Sequence, residues 1–329
     1  MSAVHVPPPP AGLSTTSGLQ LFDTVPAVLR FVLKDLLTRP SLTLLCGRPK
    51  IGKSWLALQI ALAVAHGQRL LGRFAAESPG KICYLALEEP PSRTSLRLQR
   101  LTSGRDEALA NIRFCYRINP LLSGGAMQLN EFLTANPCVL VIVDTLLAFV
   151  RQNDHRDAVR SDYQEIDLLR QISVKHDCGI VVIHHLRKAT ADYALDAVVG
   201  TSGVTAACDA VWTLRRLANG ETLLDLTGRD VEATQYGLRL QTEDIDFGWK
   251  LVSEGPEAAL SPERTEILDL LKDEGPQKPA AIARQLGKNG ATVRRLLQGL
   301  VAEGAVEKRA EGTYVPSSIC HEQHEQMNK

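Results

Sequence analysis

The chain has 329 residues, 44% hydrophobic and 22% charged, a balance that predicts a soluble globular protein with one large unit and one small one. Lys plus Arg equals Asp plus Glu at 37 each, so no global field marks a nucleic-acid or membrane partner, and local patches must carry any such role. Residues 1–10 lack a basic segment followed by an apolar core, and the most apolar stretch, 55–65, is too short to span a bilayer; the expectation is a cytoplasmic protein with no membrane contact.

Residues 1–18, with Pro7 to Pro10 and several Ser, Thr and Gly, read as a disordered lead-in. Over 19–252 short apolar runs alternate with helical patterns. Strands are predicted over 41–46, 81–87, 111–118, 138–144 and 178–184, and helices over 53–66, 92–103, 127–135 and 159–176. That alternation implies a parallel sheet with helices on both faces. After residue 208 come closely spaced strands at 211–217, 221–227, 236–241 and 247–252, with Asn219-Gly220 as a turn signal. They read as an antiparallel extension of the sheet.

Residues 253–261 carry Gly, Pro, Glu and Ala and read as a linker. The unit 262–316 then offers three helices, over 262–273, 279–286 and 290–303, and a hairpin over 306–315 with Glu311-Gly312 at its turn. Three helices followed by a β-wing is the order of a winged helix-turn-helix. Residues 317–329 read as a disordered tail, and its Cys320-His321-Glu322-Gln323-His324 as a frayed terminus rather than a metal site. Of seven cysteines, Cys46, Cys83, Cys115, Cys138 and Cys178 fall in or beside apolar runs; the odd count and wide spacing predict reduced, buried thiols.

Between the first strand and helix lies Gly47-Arg48-Pro49-Lys50-Ile51-Gly52-Lys53-Ser54, a complete G-x-x-x-x-G-K-[ST] phosphate-binding loop. The glycines let the backbone wrap a triphosphate so that successive N–H groups face its oxygens. Lys53 adds a cation, Ser54 a hydroxyl for Mg²⁺, and the following helix its positive end. Contacts with ATP are expected from Gly47 through Trp55. Three further stations stand at strand ends, where an open α/β sheet places its ligand. Val139-Leu140-Val141-Ile142-Val143-Asp144 is an apolar strand ending in an acid, a Walker B pattern, with Asp144 expected beside Ser54 on Mg²⁺. Tyr84-Leu85-Ala86-Leu87-Glu88-Glu89 is expected next to the loop strand, with Glu88 as the general base toward water. Val181-Val182-Ile183-His184-His185 ends in imidazoles able to report a γ-phosphate, with Arg187 and Lys188 nearby.

These four stations, in this order, resemble the RecA-like ATPase core. They look most like the RepA-type hexameric replicative helicases, with DnaB-type helicases more distant. The resemblance covers about residues 20–252 and rests on the Gly-Arg-Pro-Lys-Ile-Gly-Lys-Ser loop, Leu-Glu-Glu-Pro and the His184-His185-Leu186-Arg187-Lys188 box. It implies that Glu88 is the catalytic base, Asp144 the metal-associated acid and His185 the sensor. A homo-oligomeric, hexameric ring follows from it, with an ATP site between subunits completed by a neighbour's arginine. Arg229 matches the DnaB-like position. The RepA-like position, just before Trp212, holds Val211 here, so Arg215 and Arg216 remain alternatives. Loops facing the central pore are implied to bind single-stranded DNA, which directs attention to Arg151, Arg156, Arg160 and Lys188. In a winged unit the third helix enters the major groove of duplex DNA and the wing touches phosphate. Lys288, Asn289, Thr292, Arg294 and Arg295 lie on or before that helix, and Lys308 and Arg309 in the hairpin. Residues 261–316 carry nine basic and eight acidic side chains, so any patch is local. The expected fold class is therefore a RecA-like phosphate-loop α/β core with a mostly parallel sheet, plus a small C-terminal winged helix-turn-helix domain.

Overall fold

The structure is a computed structural model that describes residues 14–24, 28–102, 104, 106–150, 158–185, 202–217, 221–243, 247–255, 262–302, 304–309 and 311–317. The expected turn at Asn219-Gly220, most of the linker, the tail beyond 317 and the basic segments around 151–157 and 186–201 lie outside the described residues.

In chain order, α1 (Gly18–Thr24) precedes a hairpin of β1 (Arg30–Leu33) and β2 (Leu37–Arg39). Then come β3 (Ser41–Gly47), α2 (Lys53–His66), the short pair β4 (Arg69–Leu70) and β5 (Phe74–Ala75), β6 (Ile82–Ala86), α3 (Pro91–Leu101), β7 (Ile112–Cys115) and α4 (Gly125–Ala135). They are followed by β8 (Leu140–Asp144), α5 (Leu146–Phe149), α6 (Ala158–His176), β9 (Gly179–His185) and α7 (Ser202–Ala207). The core ends with β10 (Ala210–Arg216), β11 (Thr222–Gly228), β12 (Thr234–Gln241) and β13 (Gly248–Glu254).

Nine strands form one sheet in the order β13-β12-β11-β10-β3-β9-β8-β6-β7. From β10 to β7 every neighbouring pair is parallel, and β11, β12 and β13 add antiparallel strands at one side. Two expectations are corrected by this order. The strand at 211–217 is not part of the antiparallel extension. As β10 it runs parallel to β3, with Leu214 opposite Gly47, because the chain arrives from β9 by a crossover through α7, and crossovers yield parallel pairs. Nor does β6 lie next to the loop strand. Both edges of β3 are taken, by β9 and β10, and β6 pairs with β8 and β7 instead. An apolar run shows that a strand is covered on both faces, not which neighbour it takes.

The strands explain two cores by period-two alternation. On β9, Val181 and Ile183 face the layer formed with α2, while Ile180 and Val182 face the layer formed with α4 and α6. On β8, Leu140 and Ile142 take the first side, Val141 and Val143 the second. Helix α2 is apolar nearly all round and sinks into the first layer, as a helix without a polar face must. Among the described residues, all cysteines are free and, apart from half-buried Cys115, buried. No helix among them is long and apolar enough to cross a membrane.

The C-terminal residues build α8 (Pro262–Glu274), α9 (Pro279–Gln285) and α10 (Gly290–Ala302), closed by the antiparallel pair β14 (Val306–Lys308) and β15 (Tyr314–Pro316). Their apolar faces form a separate core around Ile267, Leu271, Ile282, Val293, Leu297 and Leu300. Leu297 is fully buried there. Leu297→Ala is expected to destabilise this unit by ~2–5 kcal/mol. Hydrogen exchange should show lost protection in α8–α10 and unchanged protection in β3, β8 and β9.

Candidate active site

Because β3, β9, β8 and β6 run parallel, their C-terminal ends lie on one edge of the sheet. Gly47 pairs with His185, and Ala86 with Asp144. The Leu87 N–H donates to the Asp144 carbonyl at 2.8 Å, tying the turn after β6 to the end of β8. The four predicted stations therefore meet.

The loop between β3 and α2 has no room for side chains at two points. A Cβ on Gly47 would stand 2.8 Å from the Leu214 carbonyl oxygen. Gly52, at φ 107°, occupies left-handed space, and a Cβ there would stand 2.5 Å from Cζ2 of Trp249. Arg48, Pro49 and Lys50 are exposed at the loop's tip, and Ile51, Ser54 and Trp55 are half-buried. Gly52 also caps α2 without a side chain, so no side-chain oxygen occupies the N–H groups of the first turn.

Lys53 is 4% exposed. Its ammonium donates to the carbonyls of Gly47 at 2.9 Å and Arg48 at 3.0 Å, and lies 3.1 Å from Nδ1 of His185. Burial draws its pKa from 10.5 down to about 8, a shift that the nearby Asp144 and Glu88 oppose. Asp144 is 6% exposed and accepts a hydrogen bond from the Tyr84 hydroxyl at 3.0 Å. Burial raises its pKa, and the Ser54 and Tyr84 hydroxyls pull it back. Burial also holds the Tyr84 phenol well above its ordinary range, so it stays a donor. Glu88 accepts from the Thr145 hydroxyl at 2.6 Å, and its other oxygen lies 3.6 Å from Nε2 of His185. Next to it, Glu89 is bound by Arg97 at 2.6 Å; its pKa is raised by burial and lowered by that guanidinium. Arg97 in turn lies over the Trp55 ring, 5.1 Å from its centroid.

These residues fit a nucleoside triphosphate with magnesium. The buried ammonium turns back onto carbonyls of its own loop, around which the helix offers backbone N–H groups, the donor set a phosphate chain needs. The Ser54 hydroxyl and Asp144 carboxylate lie at the same strand ends and would supply the hard oxygens that Mg²⁺ takes.

The other candidates stand apart. Arg229 follows β11 at the opposite end of the sheet. It lies 3.5 Å from Asp209, whose carboxylate accepts the Leu42 N–H at the start of β3. It is thus remote from its own subunit's loop. Arg215 and Arg216 end β10 beside Gly47; Arg215 pairs with Asp225 at 3.0 Å, and Arg216 is exposed. Arg151, Arg156 and Lys188 lie outside the described residues, and Arg160 is on α6 with its side chain undescribed. Arg294 and Arg295 are exposed on α10, as are Lys308 and Arg309 near the wing, whereas Lys288 is bound to Glu266 at 2.7 Å.

Sequence reading missed Tyr84, Thr145, Arg97 and Trp249. Thr145 carried a faint signal, following directly on the strand-end acid. The others are told only by their contacts.

A profile of the AAA domain family matches residues 7–191, and one of the IclR helix-turn-helix domain matches residues 265–310. Among solved structures, the ATPase domain of G40P superposes with a TM-score of 0.50 at 12% identity, covering 65% of this chain and 85% of that one. At that identity the likeness shows the fold, a RecA-like core. No curated protein matches the chain.

Lys53→Ala is expected to weaken binding of a fluorescent ATP analogue by at least about tenfold, the loss of a charge-assisted contact. Fluorescence titration with and without Mg²⁺ measures it.

Proposed function

The chain belongs to the AAA domain family, and from that premise we propose that it is an ATP hydrolase that works on DNA as a ring-forming motor. The observation that carries this reading is the convergence of Lys53, Ser54, Glu88, Asp144 and His185 on one edge of the parallel sheet. Lys53 and the loop amides hold the phosphates. Ser54 and Asp144 would hold Mg²⁺, which would supply charge neutralisation on the phosphate chain. Glu88, held on one oxygen by Thr145, keeps its other oxygen to accept a proton from an attacking water. His185 spans Lys53 and Glu88, so a change at the phosphates reaches the base through one imidazole.

The DNA part rests on the C-terminal unit, which has the winged order and exposed Arg294, Arg295, Lys308 and Arg309. The motor part rests on the motif resemblance to RepA-type and DnaB-type helicases together with the RecA-like fold. In such a ring Arg229, or Arg216, of a neighbouring copy completes the site; Arg229 lies too far from its own loop to do so. A second reading, an ATP-responsive DNA-binding regulator, is favoured by the IclR-type match alone. Strand displacement on a forked duplex separates the two: ATP-dependent unwinding supports the motor. Footprinting on one defined duplex, without displacement, supports the regulator.

Glu88→Gln is expected to bind ATP as before and to lose about 100- to 10,000-fold in kcat. Thr145→Val, which leaves Glu88 unheld, is expected to lose about tenfold in kcat with little change in affinity. Steady-state ATPase assays measure both. Wild-type turnover in Glu88→Gln and Lys53→Ala together would remove this assignment.

A further inference from the structure

Trp249 belongs to β13, the outermost strand on the antiparallel side, with β12, β11 and β10 between it and β3. It nevertheless reaches the phosphate loop. Its indole Nε1 donates to the Gly52 carbonyl at 3.1 Å, and its ring lies so close to Gly52 that no Cβ fits between them. The side chain is 2% exposed. Its own backbone is gripped from α2. The Trp249 N–H donates to Oε1 of Gln59 at 2.7 Å, and Nε2 of Gln59 donates to the Trp249 carbonyl at 3.2 Å. The preceding Gly248, at φ 135°, lets β13 come this near, since a Cβ there would stand 2.7 Å from Nε2 of Gln59.

We propose that Trp249 is a positioning residue for the phosphate cradle, and that Gln59 fixes Trp249 in turn. The Gly52 carbonyl also accepts the first helical bond, from the Leu56 N–H at 3.1 Å. Two donors therefore fix its direction. In a planar trans peptide the N–H opposes the carbonyl, so holding the Gly52 oxygen down toward α2 aims the Lys53 N–H up into the cradle. At φ 107° Gly52 has no side chain to restrict it, and glycine alone leaves that peptide free to rotate. The indole supplies the restraint. Nucleotide affinity thus depends on a strand that contributes nothing else to the cradle. This inference rests on reading 47–54 as the phosphate site.

The test is Trp249→Phe in the full chain, measured for kcat and KM toward ATP, for Kd toward a nonhydrolysable ATP analogue, and for Tm without nucleotide. Loss of the indole bond is expected to raise Kd and KM about three- to tenfold while kcat changes less than about twofold. Unchanged Kd in a folded Trp249→Phe protein overturns the proposal. So does a fall in kcat with Kd preserved, since the role would then lie elsewhere. If Trp249→Phe does not fold, Gln59→Leu, which keeps the indole and removes the two bonds that grip the Trp249 backbone, must show the same rise in Kd; no rise overturns the proposal. Lys53→Ala separates the two levels. If it abolishes binding that Trp249→Phe leaves intact, only the Trp249 role fails. If the wild type binds no better than Lys53→Ala, the phosphate reading fails and this inference with it.

Discussion

Parallel pairing of β3, β9, β8 and β6 is the constraint on which the site depends. Parallel strands end on the same side, so a residue at or just past the end of each is delivered to one edge whatever its distance in sequence. Lys53, Glu88, Asp144 and His185 meet for that reason. The same geometry excludes Arg229, which follows an antiparallel strand and is carried to the other end. The sheet sorts one subunit's own groups from those a neighbouring copy would have to present.

Burial then sets the electrostatics. The interior disfavours both the Lys53 cation and the Asp144 anion, and their pKa values move toward each other. The network is held by short bonds: Tyr84 to Asp144, Thr145 to Glu88, Lys53 to loop carbonyls. A bound phosphate chain would give the ammonium a better partner than two carbonyls, and a divalent cation would do the same for the carboxylate. The groups are poised for a ligand of mixed charge rather than satisfied by one another.

The antiparallel strands do more than widen the sheet. β13 turns back over α2, where Trp249 touches Gly52 and Phe247 packs on Trp55 with ring centroids 4.3 Å apart. Arg97 and Arg100 lie over the Trp55 and Phe247 rings, drawing α3 into the same patch. The phosphate loop is thus braced by its own helix, by α3 and by the farthest strand. A loop with two glycines and an exposed tip needs such bracing to keep its amides convergent.

The sequence alone determined what is local. The spacing from Gly47 to Ser54 marked the cradle, and apolar runs ending in Glu88, Asp144 and His185 marked the stations. Period two and period 3.6 placed the nine strands of the main sheet, the four long helices of the core and the elements of the C-terminal unit, because periodicity is a property of neighbouring residues. The small elements, the β1–β2 and β4–β5 hairpins with α1, α5 and α7, escaped because two to seven residues carry little or no period. Only the tertiary structure decided the neighbours. It placed β9 and β10, not β6, beside β3, and it gave Thr145 to Glu88, Tyr84 to Asp144 and Trp249 to Gly52. The last two residues are 197 positions apart, and no pattern along the chain records a contact that exists only in the folded tertiary structure.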